Sequence, residues 1–172
     1  MGRCASLVAL AAASSLLAGC HFGALLLVSN AASARGPYRP ESLARELGAG
    51  SVRTIGCLDV GLVPFRRDGG DLVDLHVGNR CGYPEALDMR RTVITGYSDT
   101  GAPFDVAFSD PRGEIELLHL GGADHARERI RLDRAGAARR LCFDLERIDP
   151  DAPAARPRPL CFARNGGAWV PA

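Results

Sequence analysis

The stretch DLVDLHVGN, residues 71–79, decides the fold class. Successive side chains of a β-strand point to opposite faces, so Val73, Leu75 and Val77 share one face in this pattern. That face is wholly apolar, whereas the other carries a carboxylate and an imidazole. The alternation predicts a half-buried strand whose valines and leucine face a core.

Similar short apolar segments recur along the chain, separated by Gly, Pro and Asp turns about every eight to twelve residues. This spacing is typical of all-β proteins, and we expect a single antiparallel Ig-like or Greek-key β-sandwich of about seven to eight strands. The one expected helix covers Glu41 to Leu47, with Pro40 at its start and Gly48 at its end. Strands are expected near residues 52–63, 71–79, 91–97, 103–109, 114–120, 125–132, 139–148 and 159–163.

Two turns predict hairpins in the second half of the chain. Residues 110–113 (DPRG) have the residue preferences of a type I β-turn, which would join strand 103–109 to strand 114–120. Residues 121–124 (GGAD) would join strand 114–120 to strand 125–132. We therefore expect three consecutive antiparallel strands here.

Arg127, Arg129 and Arg131 alternate along the predicted strand 125–132 and are a candidate anion-binding stripe. The expected hairpin register places Glu116 opposite Arg129 and Glu114 opposite Arg131. Pairs of opposite charge on an exposed sheet face are ordinary surface features. We therefore favour a stripe in which two of the three arginines are neutralised.

The N-terminal residues 1–34 resemble an export signal. Arg3 precedes an apolar run from Ala5 to Leu17, as in the n-region and h-region of secretory signals. The run ends in residues 17–20, LAGC, which resemble the lipobox of bacterial lipoprotein precursors. The resemblance implies that Cys20 is acylated and becomes the new N-terminus. On this interpretation residues 1–19 are the signal, 20–50 a tether or linker, and 51–172 the domain.

Two other endings of the signal remain open. Residues 32–34, ASA, form a small-x-small site at which signal peptidase could cut before Arg35, giving a signal of residues 1–34 and a periplasmic or secreted soluble chain. Alternatively, residues 5–28 are long and apolar enough to span a bilayer uncleaved. All three alternatives place the domain outside the cytoplasm.

The cysteine count agrees with export. Without Cys4 and Cys20 in the N-terminal segment, four cysteines remain, and an even number in an exported chain predicts two disulfides with three possible connectivities. No C-x-x-C pair occurs, so we expect no metal site. We prefer neighbours in sequence, because each such pair lies on segments that could form one hairpin. The preferred pairs are Cys57–Cys81 and Cys142–Cys161, and the alternative is Cys57–Cys142 with Cys81–Cys161.

Charge excludes several classes of function. The chain has 21 basic and 20 acidic residues, and one of the basic residues is Arg3 in the signal, so the exported part is neutral. A neutral domain gives no electrostatic reason to expect nucleic acid as a partner. The chain contains no lysine, which excludes a lysine nucleophile, a Schiff base and a phosphate-loop lysine.

Other candidate residues have simpler structural explanations. Asp68, Asp71 and Asp74 lack the spacing of a calcium loop, and the last two fall on opposite strand faces. Ser98 lacks the glycine spacing of a nucleophile elbow. Tyr97 and Trp169 could anchor a partner or sugar, although packing explains Trp169 equally well. The histidines lie on separate predicted strands without a ligand spacing: His76, His119 and His125.

We therefore expect an exported, lipid-anchored and non-catalytic envelope protein without a cofactor, whose β-sandwich binds or supports another envelope component. Its expected partners are the membrane, through Cys20, and an envelope protein or ligand. One alternative is a secreted protease inhibitor that acts through Arg156 and Arg158 of the Pro-rich connection Asp149–Pro159. The other is an envelope hydrolase, which needs Ser98, a histidine and a carboxylate in one pocket.

Overall fold

A computed structural model describes residues 37–109, 117–145, 147–148 and 158–172 of this chain. One short helix, α1, lies at Glu41–Leu47 between Pro40 and Gly48, as the sequence predicts. The described strands are β1 Val52–Ile55, β2 Leu58–Arg67, β3 Gly70–Asn79, β4 Glu85–Asp88, β5 Val93–Tyr97, β6 Pro103–Ser109, β7 Leu117–Leu120, β8 His125–Asp133, β9 Arg140–Asp144, β10 Leu160–Asn165 and β11 Ala168–Pro171.

Nine of these strands form one antiparallel sheet in the order β1-β2-β3-β8-β6-β5-β9-β10-β11, and β4 pairs with β7 in a separate two-stranded sheet. The predicted all-β class is confirmed. The finer expectation of an Ig-like or Greek-key sandwich stays a prediction, because the nine strands are continuous through their hydrogen bonds.

The long sheet curls until its two ends approach each other. The Arg53 Nε of β1 donates a hydrogen bond to the carbonyl oxygen of Arg158, just before β10, over 3.2 Å. A Cβ atom at Gly50 would lie only 2.9 Å from the Cβ of Pro171 in β11. The curl encloses one core of aliphatic and aromatic side chains, including Val73, Leu75, Val77, Ile130, Leu132, Leu141, Phe143 and Phe162.

The strand predicted at residues 71–79 lies inside the sheet. β3 pairs with β2 on one side and with β8 on the other, and Val73, Leu75 and Val77 face the core as predicted. The opposite face of β3 is also buried at Asp74 and His76, which are each 6% exposed. β3 is therefore buried on both faces rather than on one.

Both disulfides have the preferred connectivity. Cys57, in the turn between β1 and β2, is bonded to Cys81, which follows β3. Cys142 and Cys161 are bonded directly opposite each other in the pairing of β9 with β10. In both cases the bridge joins segments that are also neighbours in the sheet, which is the reason for preferring these pairs.

Several strand predictions need correction. The single strand expected at 52–63 is two strands, β1 and β2, because Gly56 has a positive φ of 54° and the chain reverses there. β4 and β11 were not predicted, since four residues are too few to show a clear alternation. The segment expected as a strand at 91–97 begins with a 3-10 turn, Met89–Arg91, and the one expected at 139–148 ends at Asp144.

The two predicted hairpins around β7 are wrong. β6 pairs with β5 and β8, β7 pairs with β4, and β8 pairs with β3 and β6. β8 thereby buries Ile130 and Leu132 in the main core, which a two-stranded ribbon with β7 could not provide. Glu114, Glu116 and the turn 110–113 lie outside the described residues.

Tyr38, in the stretch 20–50 expected to be a tether or linker, packs against the described sheet. The Tyr38 backbone N–H donates to the carbonyl oxygen of Ala123 over 2.6 Å, and its hydroxyl donates to Asp59 Oδ2 over 2.8 Å. The Tyr38 ring lies directly over Gly78, where a Cβ atom would come within 2.1 Å of the ring. Burial and the Asp59 carboxylate raise the pKa of Tyr38, so its hydroxyl stays a donor.

Gly78→Ala tests whether these contacts hold Tyr38 against the sheet. The added methyl group occupies the position of the Tyr38 ring, so the ring has to leave and the hydrogen bond to Asp59 is lost. We expect chymotrypsin to cleave after Tyr38 about tenfold faster or more in the folded protein, because a bond to a charged group is lost. Gly82→Ala is the control, since a Cβ there meets nothing within 4 Å. Equal cleavage rates in the two variants would show that these contacts do not hold Tyr38 in place.

Candidate binding site

Asp88 is a buried carboxylate that holds two arginines in fixed positions. Arg90 donates from Nε to Oδ1 over 2.8 Å and from its terminal nitrogen to Oδ2 over 2.9 Å, a bidentate pair. Arg91 Nε lies 3.3 Å from Oδ2 of the same carboxylate. Asp88 also accepts the backbone N–H of Arg90, which caps the 3-10 turn Met89–Arg91. The two guanidinium groups are about half-exposed and directed by one buried anion.

These arginines line a groove of about 550 Å³, together with Val93, Asp144 and Arg147. The groove forms where β5 begins and β9 ends, since Val93 and Asp144 lie opposite each other in the pairing of these strands. Arg147 belongs to the turn after β9. The backbone N–H of Asp88 donates to the carbonyl oxygen of Ile148 over 2.8 Å, which fixes this turn against β4.

The electrostatics of the groove favour an anion. Hydrogen bonds from Arg90 hold the pKa of Asp88 below its usual value, so this carboxylate stays ionised and keeps the arginines in place. Arg147 is exposed. Val93, 57% exposed, adds an apolar surface beside these cations. The arrangement can bind a small negatively charged group next to an apolar one.

The predicted stripe of Arg127, Arg129 and Arg131 lies on the outer face of β8, and its ion-pair partners are Asp74 and Asp133. Arg127 donates to Asp74 Oδ2 over 2.6 Å, and Arg129 Nε donates to Oδ1 over 2.8 Å. Arg131 lies 3.7 Å from Asp133. The register of β8 with β3, rather than with β7, explains the difference because it places Arg129 opposite Asp74.

The stripe differs from the groove in shape. Arg129 lies over the Phe65 ring of β2, 5.0 Å from its centroid, so this side chain covers the flat face of the guanidinium group. Burial alone would raise the pKa of Asp74, but the hydrogen bonds from Arg129 and Arg127 outweigh it and the pKa is lowered. The stripe is thus a flat sheet surface on which three arginines share two aspartates.

The three aspartates considered for calcium point to different places. Asp68 is exposed in the turn between β2 and β3. Asp71 faces the interior and accepts a hydrogen bond from Arg164 over 2.9 Å. Asp74 lies on the outer face, as predicted from the alternation. Arg164 in turn lies over the buried Trp169 ring at 4.5 Å, so Trp169 packs against the interior.

His76 and His125 lie diagonally across the pairing of β3 with β8, whereas Ser98 follows β5 and His119 lies on β7. The Ser98 hydroxyl lies 2.8 Å from the Thr100 hydroxyl and accepts the backbone N–H of Ala102, as in an ordinary turn. His76 lies on β3 and His119 on β7, in separate sheets. Within the described ranges, no group of three or more His, Cys, Asp or Glu residues is arranged to hold a metal ion.

The groove residues are not among those that the sequence predicts for a site. Their signal was weak: two adjacent arginines, Arg90 and Arg91, after an aspartate, and an unpartnered apolar residue at the start of a strand. The groove also depends on the pairing of β5 with β9, which are far apart in the chain. No local pattern indicates that pairing.

The chain matches no known protein-family model, no curated protein and no solved structure. Among the described residues, no helix has the length and apolar character needed to cross a membrane. The functional assignment therefore depends on the chemistry of the residues themselves.

Buried His76 predicts a pH-dependent stability. Burial, and then the positive charge of Arg127, lower the pKa of His76 below its usual 6.5, and His125 acts in the same direction against Glu46 and Asp74. Below pH 6.5 the unfolded chain takes up a proton that the folded protein does not. The free energy of unfolding should therefore decrease as the pH falls from about 6.5 toward the folded pKa, by at most about 1.4 kcal/mol per pH unit.

His76→Gln should remove this part of the pH dependence in urea unfolding experiments between pH 7 and pH 4.5. His119→Gln, which replaces an exposed histidine on β7, controls for the loss of an imidazole. Parallel stability curves for the wild type and His76→Gln would show that His76 is not the group responsible.

Proposed function

We propose that this protein is exported to the bacterial cell envelope, anchored through a lipid on Cys20, and binds a ligand or partner without catalysis. The two disulfides carry the proposal, because cytoplasmic thiols are kept reduced and paired cysteines are typical of oxidising compartments. The LAGC motif supports a lipid anchor through its resemblance to a lipobox. Cys20 itself lies outside the described residues.

The position of Tyr38 in the sequence supports a tethered protein. Tyr38 is held by Asp59 and Ala123, so residues 21–36 separate the proposed anchor from the first described residue. A chain of this length spans at most about 55 Å when fully extended. The domain would therefore remain within reach of the membrane surface.

The groove supports binding as the role of the domain. Its lining of Arg90, Arg91, Val93, Asp144 and Arg147 combines directed cations with an apolar side chain, as in small-molecule sites. The proposal includes a sandwich-like domain, which is supported by opposed walls of the curled sheet packing across one core. Of the connection considered for protease inhibition, only Arg158 and Pro159 are described, and no observation favours that role.

Mass spectrometry of the exported protein tests the anchor. We expect wild-type protein in the membrane fraction with a diacylglyceryl group on Cys20, and we expect Cys20→Ser to lose both the lipid and cleavage at this position. Cys4→Ser is the matched control, because it removes a cysteine from the same segment and leaves LAGC intact. A mature chain that begins at Arg35 in the soluble fraction would overturn the proposal.

A further inference from the structure

We propose that Arg164 and Trp169 form a buried site for an uncharged oxygen acceptor, supplied by a trapped water or by a carbonyl or hydroxyl group of a small molecule. The site lies where β10 ends and β11 begins. It shares no residue with the groove or with the proposed lipid anchor, so its test does not depend on either of them.

Two buried nitrogen atoms of this pair have no hydrogen-bond partner. Over the described ranges, the Arg164 Nε and the Trp169 Nε1 are the buried side-chain donors in this position. Trp169 is 9% exposed, and the Arg164 side chain is 12% exposed. A buried tryptophan N–H usually has an acceptor, and a buried donor without one costs the free energy of its desolvation. Two such donors in one pair of residues point to an acceptor that binds there.

The β10–β11 pairing brings the two donors together. Arg164 and Trp169 lie opposite each other in this pairing, and the Arg164 Cζ lies 4.5 Å from the centroid of the Trp169 ring. Both N–H groups therefore belong to one stack. An oxygen atom has two lone pairs, so one oxygen at the edge of the stack can accept both N–H groups.

The terminal nitrogens of Arg164 are already used within the protein. One donates to Asp71 Oδ1 over 2.9 Å, and the other donates to the carbonyl oxygen of Gly136 over 3.1 Å. Asp71 is itself buried, so it balances the charge of Arg164 by direct contact. A further anion at the Arg164 Nε would be buried close to this carboxylate and repelled by it. The site therefore favours an uncharged acceptor.

A second arginine stack shows that stacking alone does not leave a donor unpaired. Arg129 lies over the Phe65 ring at 5.0 Å, but its Nε donates to Asp74 Oδ1 over 2.8 Å. A phenylalanine ring has no N–H group to satisfy. The Arg164–Trp169 pair differs because both of its side chains carry a buried donor without an acceptor.

The turn beside the site is open to solvent. Residues 165–168 are exposed, and a Cβ atom at Gly166 or Gly167 would meet nothing within 4 Å. Water and small solutes can therefore both reach this end of the hairpin.

NMR on the exported, oxidised protein tests the site. The chain contains one tryptophan, so a single indole N–H resonance reports on it. A cross-peak between this proton and a long-lived bound water would identify water as the acceptor. A saturable shift of the resonance with acetamide would identify a site for a carbonyl oxygen. We expect one of these two results, and an indole N–H that shows neither would overturn the proposal.

Acetate is the charged control, because it has nearly the same shape as acetamide. It should leave the indole resonance unchanged, since its charge would lie close to Asp71. A saturable shift with acetate would overturn the uncharged class of acceptor.

Removal of the Trp169 N–H provides a second test. Benzothienylalanine at position 169 keeps the shape of the ring and replaces the N–H group with sulfur. If an acceptor is bound, the folding equilibrium constant measured by urea unfolding should fall about threefold or more, because a buried hydrogen bond is lost. Unchanged or higher stability would overturn the proposal, since it would show that the N–H has no acceptor. Tyr97→Phe is the control, because it removes a hydroxyl from the ring that stacks with Arg140 and should leave the equilibrium constant unchanged.

Discussion

The burial of four aspartates constrains this structure more than any other feature. Each buried carboxylate needs a donor, because an unpaired charge in a protein interior is costly. In a chain without lysine the cationic donors are arginines, and the arginines that pair with each aspartate come from a different part of the chain. The pairs are Asp59 with Tyr38, Thr54 and Arg80, Asp71 with Arg164, Asp74 with Arg127 and Arg129, and Asp88 with Arg90 and Arg91. Together they fix the N-terminal segment, the interior of the curled sheet, one outer face and the groove.

The pairing of Asp74 shows where prediction from sequence reaches its limit. Alternation along residues 71–79 and the helix Glu41–Leu47 are local patterns, and the structure confirms both. The partner of β8 is not a local property, because the turn signal of residues 121–124 and the register of charges both favoured β7. β8 pairs with β3 instead of β7 because β3 provides both a buried carboxylate and a continuous apolar face.

For the candidate site too, features that join nearby segments can be predicted from sequence, and features that need distant pairings cannot. The cysteine pairs could be ranked from sequence because each joins segments that are close in the chain. The groove could not be predicted, since it requires the pairing of β5 with β9 and the turn held by Ile148. The arginines that stand out in the sequence lie on β8, where Asp74 and Asp133 hold them against the sheet face. The more informative arginines lie on a short turn that carries no periodic pattern.

The attachment of Tyr38 also determines how the domain responds to force. Its ring and hydroxyl are held by side-chain contacts and a single backbone hydrogen bond, not by a strand ladder. Tension applied from the N-terminal side therefore acts on Tyr38 before it reaches β1. These few contacts would yield first and lengthen the chain by a short segment, while the disulfide from Cys57 to Cys81 keeps the neighbouring strands joined. The contacts of Tyr38 would therefore open under tension before the strands of the sheet separate.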